Sequence, residues 1–129
     1  MRNVLKISCQ KQALISAVSN VQRAVSGKST VSVLDGILLR ASADSLLLAG
    51  YDLELGIMTT VDANVEQTGQ IVLNARLFGD IVRKLPGDTV ELETDDRFQT
   101  IIRSDESMFS IVGIDAAEYP DIPTVSDGE

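Results

Sequence analysis

Apolar positions along the chain follow two periods, and the switches between them mark out the elements. Residues 4–7 read as a short strand. Over residues 11–25 the spacing changes. Leu14, Val18, Val21 and Val25 stand at i, i+4, i+7 and i+11, one stripe of a helix with 3.6 residues per turn. Gln12, Ser16, Ser19 and Arg23 then fall on the opposite face, and Gly27 serves as a terminator. Residues 26–32 are polar and loop-like. Three runs rich in Leu, Ile and Val follow, at 36–42, 45–50 and 54–61. The breaks at Ala43-Asp44 and Tyr51-Asp52 are short enough for hairpins. Residues 63–69 are polar and read as a connection.

The same order then returns. Residues 70–73 are strand-like and 75–85 helix-like, with Phe78, Ile81, Val82 and Leu85 on one face and Arg76, Asp80 and Arg83 on the other. Pro86-Gly87 stops that helix. Three more strand-like runs lie at 89–94, 98–103 and 108–113, with turns at Asp95-Asp96-Arg97 and 104–107. The acidic tail from Ala117, carrying Pro120 and Pro123, reads as an extended linker or chain end. The chain thus spells β-α-β-β-β twice, a repeat of element order and not of residue identity. Short connections favour antiparallel pairing. The expected fold is α+β, with two helices packed on one side of antiparallel sheets.

Composition narrows the chemistry. A length of 129 residues suits one domain, and 44% hydrophobic with 23% charged residues is ordinary globular material. The absence of His removes the commonest neutral-pH acid/base and the commonest metal ligand. A single Cys allows no internal disulfide. No apolar run reaches the ~18 residues of a membrane span. Met1-Arg2-Asn3-Val4-Leu5-Lys6 lacks the apolar stretch of a signal peptide, so a cytoplasmic location is expected.

The net charge of −8 argues, as an average, against a nucleic-acid surface. Its distribution argues the other way. Residues 10–28 and 75–85 hold Lys11, Arg23, Lys28, Arg76, Arg83 and Lys84 against one acid, Asp80, a local charge of +5. The rest of the chain sums to −13. Basic residues on exposed helix faces are commonly just solvated, so the joint pattern carries the reading and no single residue does. With a Debye length of about 8 Å at physiological salt, a ligand at the helices feels the local cations more than distant acids. Phosphates are the natural target. Five aromatics, none placed as a stacking platform, and no recognition-helix or zinc-finger pattern leave weak, sequence-independent backbone contact.

Other chemistry is set aside on its own terms. Gly27-Lys28-Ser29 ends like a phosphate-binding P-loop, but Gln22 stands where the first glycine belongs, and the string follows a helix instead of preceding one. Asp95-Asp96 and Asp105-Glu106 sit between strand-like runs, where they read as turns. Asp52 and Glu54 cap a turn or form a salt bridge. Cys9 has no His to activate it and reads as a structural thiol. No cofactor or metal is expected, and no enzymatic activity.

Several strings, in order and at matching spacing, resemble the N-terminal domain of the bacterial sliding clamp, the beta subunit of DNA polymerase III. They are Gly27-Lys28-Ser29-Thr30 with Val33-Leu34, Gly36-Ile37-Leu38-Leu39, Tyr51-Asp52-Leu53-Glu54 and Leu73-Asn74-Ala75-Arg76. Asp80-Ile81-Val82-Arg83-Lys84-Leu85-Pro86, Ile102-Arg103-Ser104, Ser107-Met108-Phe109-Ser110 and Glu118-Tyr119-Pro120 follow. Each is weak alone, but together they cover essentially the whole chain.

The resemblance implies a DNA-clamp domain. Three such domains make a subunit, and two subunits close head to tail into a ring around duplex DNA, helices inward and sheets outward. The ring tethers the replicative polymerase by topology and so gives processivity. Residues 1–123 would be the first domain and 124–129 the start of a linker to a second domain absent from this chain. Polymerase and clamp loader would dock on the absent domains.

The resemblance also implies that Lys28 and Arg76 face DNA, and helix-face geometry adds Arg23, Arg83 and Lys84. The first domain of such a ring meets the third domain of the partner subunit. Phe109 and Ile111 match apolar positions of that interface. Leu77, Glu106 and Met108 match positions that are basic in some relatives, so apolar packing must do more of the holding here. The competing reading is an acidic, β-rich protein-interaction module whose basic helices bind an acidic protein.

Overall fold

The computed structural model describes residues 5–25 and 32–120. Lys28, the Gly27 terminator, the P-loop-like string and Pro123 lie outside the described residues. Nine strands and two α-helices are described. They are β1 (Lys6–Gln10), α1 (Lys11–Gln22), β2 (Gly36–Ser42), β3 (Ser45–Tyr51), β4 (Gly56–Asp62), β5 (Asn64–Gln67), β6 (Gly69–Asn74), α2 (Ala75–Arg83), β7 (Thr89–Thr94), β8 (Gln99–Ser104) and β9 (Ser107–Val112). Short 3-10 turns occupy Ser32–Asp35 and Ala116–Glu118.

The strands form two antiparallel sheets, in the orders β5-β1-β7-β8-β9 and β4-β3-β2-β6. The two halves of the chain exchange their leading strands. β1 pairs with β7 of the second half, Ile7 opposite Leu92, and β6 pairs with β2 of the first half, Leu39 opposite Ile71. Neither half can therefore form its sheet without the other.

In the sheet that contains β1, alternation along the strands decides the inner face. In β7, Val90, Leu92 and Thr94 are buried while Glu91 is exposed, and in β8 Thr100, Ile102 and Ser104 are buried. The inner faces of both sheets, Leu14, Val18 and Val21 of α1, and Phe78, Ile81 and Val82 of α2 with Leu85 beyond it, share one core cluster. Gly50 lets β3 meet α1 closely, because a Cβ there would stand 2.4 Å from the Val21 carbonyl oxygen.

Three expectations need correction. The polar stretch 63–69 is not a mere connection. Its residues Asn64–Gln67 form β5, Val65 opposite Ile7. An edge strand is held by backbone bonds and stays polar, so it shows no apolar period. α1 ends at Gln22, not Val25, and its stripe continues through two tight turns, Ala24 N–H to the Val21 carbonyl and Val25 N–H to the Gln22 carbonyl. The segment from Ala117 is not simply extended. The Asp115 carboxylate accepts the Ala117 N–H at 3.0 Å, opening a 3-10 turn that buries Ala116 and Tyr119. They pack with Val33, Leu34, Leu38, Ala49, Tyr51 and Val72 in a second cluster. That burial pushes the Tyr119 hydroxyl up to about 12.

The acid pairs sit in turns, as expected. Asp95 Oδ1 accepts the amides of Arg97 and Gln99, and Asp105-Glu106 joins β8 to β9. Asp52 caps its turn by accepting the Glu54 and Leu55 amides at 2.9 and 2.7 Å, bonds that hold its carboxyl below the usual range. No described helix is long and apolar enough to cross a membrane.

Cys9 is buried in the core, where loss of hydration pushes its thiol up to about 11. Its neutral form is favoured by folding, so the stability it contributes is complete below the unfolded thiol's pKa and is lost as pH climbs through 11. Thiol-directed disulfide reagents at pH 8 are expected to leave Cys9 unmodified in the native chain and to modify it fully in denaturant. Rapid stoichiometric labelling of the native chain would contradict this packing.

Candidate nucleic-acid interface

The two helices run antiparallel and are joined at both ends. Lys11, the first residue of α1, donates its Nζ to the Leu85 carbonyl just beyond α2, 3.0 Å away. Gln22, the last residue of α1, donates its Nε2 to the carbonyl of Ala75, the first of α2, also at 3.0 Å. Between these ends Gly79 permits the close approach. A Cβ there would stand 2.8 Å from Arg83 Nη1 and 2.9 Å from Gln22 Nε2.

This pairing gathers the exposed cations of both helices. Arg23, Arg76, Arg83 and Lys84 are all exposed, and Asp80 is the only acid on a described α-helix. Gln12, Ser16 and Ser19 supply exposed uncharged hydrogen-bonding groups on α1. The sheet that contains β1 carries Glu66, Glu91 and Glu93, and its cations are spent on them. Lys6 lies 3.5 Å from Glu66, and Arg103 lies 3.3 Å from Glu93 and 3.8 Å from Glu91. Arg40 donates to Gln70 at 3.1 Å.

The four helix cations are not equivalent. Arg23 folds back on the end of its own helix, donating to the Asn20 carbonyl at 3.3 Å and to Asn20 Oδ1. Arg83 donates through Nη2 to Ser19 Oγ and Gln22 Oε1, each at 3.0 Å. Arg83 and Lys84 stand at the C-terminal end of α2, where unpaired carbonyls favour cations. Arg76 stands at the opposite pole. Its helix begins with Asn74 as cap, whose Oδ1 accepts the Leu77 N–H at 2.9 Å, and the first turn holds no acid. Arg76 therefore adds positive charge to the positive end of a dipole, and among the described residues it has no hydrogen-bond or ion-pair partner.

A second group of expected site residues lies elsewhere. β9 is an edge strand, paired only with β8. Phe109 and Ile111 are half-buried and pack against the core from its inner side, while Met108 and Val112 are 62% and 73% exposed on its outer side. Glu106 sits in the turn that opens the strand, and Leu77 is exposed on α2. Sequence reasoning missed Val112, because a six-residue strand with apolar residues on both faces has no clean alternation. It also missed Gln22 and Gly79. A glycine in mid-helix was the available signal.

Such a surface can hydrogen-bond phosphate oxygens through guanidinium, ammonium and hydroxyl groups without reading bases. Arg76→Gln is expected to stabilise the chain by about 0.3–1 kcal/mol in urea unfolding, since it removes a cation from the wrong helix end. Asn74→Ala is expected to cost about 1 kcal/mol. A loss of stability in Arg76→Gln would mean that Arg76 has a structural partner.

The family model for the DNA polymerase III beta subunit, N-terminal domain, matches residues 5–123. The beta sliding clamp of Bacillus subtilis is 38% identical over 131 aligned positions, covering 95% of this chain and 35% of the relative. That of Staphylococcus aureus is 34% identical with the same coverage of each. The crystal structure of the Bacillus subtilis DNA polymerase sliding clamp superposes with a TM-score of 0.93 at 38% identity, over 97% of this chain and 35% of that one. The crystal structure of the C. crescentus beta sliding clamp gives 0.89 at 32% identity, over 97% and 33%. The chain spans about a third of the length of the curated relatives it matches.

Proposed function

The chain belongs to the DNA polymerase III beta subunit family as its N-terminal domain, and on that premise we propose that it is the first domain of a clamp encircling duplex DNA. The clamp is non-catalytic. It tethers the replicative polymerase in the cytoplasm by topology, with helices toward the DNA and sheets outward. The observation that carries this reading is Arg76, exposed, without a partner among the described residues and set at the pole of α2 where a cation costs stability. A phosphate at that position would satisfy the guanidinium and the helix end together. Arg23 and Lys84 extend the same surface, and Lys28 follows α1 in the sequence. Few phosphates are touched, so contact is weak, salt-sensitive and indifferent to base sequence.

The β9 edge takes the third domain of a second subunit in a head-to-tail ring dimer. An unpaired strand flanked by exposed apolar side chains supports this, because both its backbone groups and its side chains gain partners when another sheet continues it. Apolar packing by Phe109, Ile111 and Met108, with Leu77 beside them in the interface, does most of the holding. Glu106 stands where some relatives offer a cation, which weakens charge pairing there. Polymerase and clamp loader bind through other domains of the subunit.

In the full-length protein, joint Arg76→Glu and Lys28→Glu substitution is expected to shorten retention on circular DNA, more sharply as salt rises, with the ring intact. Unchanged retention would remove both residues from the DNA surface. Phe109→Asp is expected to shift sedimentation of the full-length protein toward monomer at an unaltered helical content. A persistent dimer would place the subunit contact elsewhere.

A further inference from the structure

Arg76 and Arg83 lie seven residues apart on one face of α2, and a helical wheel makes them equal candidates for phosphate contact. Their surroundings differ. Arg83 points back over the preceding turn of its own helix, the direction long helical side chains favour. The residue beneath it is Gly79, four positions earlier, and the lack of a side chain there leaves the trough in which the guanidinium lies. A Cβ at Gly79 would stand 2.8 Å from Arg83 Nη1 and 2.9 Å from Gln22 Nε2. Across that trough Arg83 Nη2 donates one hydrogen to Ser19 Oγ and one to Gln22 Oε1, both at 3.0 Å. Both Nη2 hydrogens are thereby committed. Gln22 is itself held from the other side, its Nε2 donating to the Ala75 carbonyl at 3.0 Å. Ser19, Gln22, Arg83 and Ala75 thus form one hydrogen-bonded strap across the helix pair, seated on a glycine.

The geometry points to Arg83 as a positioning residue. It clasps α1 to α2 over Gly79 and so sets the distance between the cations of α1 and those of α2, instead of serving as a phosphate ligand itself. The inference rests on the reading of this helix surface as the DNA-facing wall, and it divides the cations of that wall into two kinds. Among the described residues nothing occupies the hydrogen-bonding capacity of Arg76, which stands open to a ligand. Arg83 lends the wall its charge, while two of its five N–H donors are tied to α1. A guanidinium is needed for this, because its planar fork meets two acceptors at once. An ammonium on a flexible stem does not reproduce that geometry.

Two measurements test it. The first uses the chain without DNA, in a double-mutant cycle followed by urea unfolding. Arg83→Met and Gln22→Ala are each expected to raise the unfolding constant about three-fold or more, and the double variant to raise it by clearly less than the product of the two, since the bond between them is lost only once. Arg83→Lys is expected to behave like Arg83→Met. Gly79→Ala is expected to yield none of the roughly five-fold fall in unfolding constant that an ordinary exposed helix would gain. Multiplicative effects of Arg83→Met and Gln22→Ala, or a full gain in Gly79→Ala, would overturn the clasp.

The second measurement is isocratic retention on duplex-DNA cellulose against salt. Arg76→Gln is expected to reduce the log–log salt slope by about one, as loss of one phosphate contact requires. Arg83→Lys, which keeps the charge but not the fork, is expected to shorten retention, Arg83→Met to shorten it further through the lost charge, and both to leave the slope near that of the parent chain. Rescue by Arg83→Lys, with a slope reduced by about one in Arg83→Met, would make Arg83 a phosphate ligand. A parent chain that DNA does not retain at any salt would show that binding needs encirclement, which the proposed function allows, and the clasp is then decided by the cycle alone.

Discussion

The contact between α1 and α2 at Gly79 is the constraint on which the rest of this structure's surface depends. A glycine in mid-helix costs about 1 kcal/mol against alanine. Here it allows two helices to lie close enough for Gln22 and Arg83 to bridge them. Phe78, Ile81 and Val82 on the opposite side of α2 are buried in the core and offset that cost many times over. The exchange of β1 and β6 between the sheets makes the pairing obligatory. β1 runs directly into α1 and β6 into α2, and β1 lies inside one sheet while β6 edges the other, each paired with a strand from the other half of the chain.

Charge then follows from geometry. A chain with net charge −8 presents a surface on which four cations face one acid, because the acids are distributed over strands, turns and the C-terminal segment. The strand acids are partly neutralised where they stand, by Lys6 and Arg103. Among the described residues the helix cations face no such neutralisation, and the short reach of electrostatics at physiological salt, about 8 Å, keeps distant acids from cancelling them. Arg76 shows the trade most plainly. Placed at the N-terminal pole of α2, it works against folding, a cost that a phosphate bound there under the proposed function would offset.

Much of this was legible in the residues. β2 and β7 run where their Leu-, Ile- and Val-rich stretches predict, β7 because one buried face carries its period openly and β2 because a stretch buried on both faces reads as a continuous apolar run. The α2 stripe of Phe78, Ile81, Val82 and Leu85 is buried as the wheel requires. β5 escaped notice because edge pairing needs only backbone, and Asn64–Gln67 holds one apolar residue. Tyr119 looked like part of a polar tail because a lone aromatic has no period, yet it anchors a second core cluster. The exchange of leading strands is a matter of partner choice, which hydrophobic spacing does not encode. For the candidate site, the wheel correctly gathered Arg23, Arg76 and Arg83 on exposed faces but ranked them alike. A wheel gives the direction of a Cβ and says nothing of where a long side chain ends. The bonds of Arg83 to Ser19 and Gln22 were beyond it.

The central claim is that the helix pair, and not the acidic sheets, is where phosphate lands. Titration of a short duplex DNA into the isotopically labelled chain at low salt, followed by backbone and arginine side-chain NMR shifts, tests it most directly. Fast-exchange shifts concentrated on the exposed faces of α1 and the first turn of α2, fading as salt is raised, are the expected result. Shifts spread over the outer strands, or none at any salt, would contradict it.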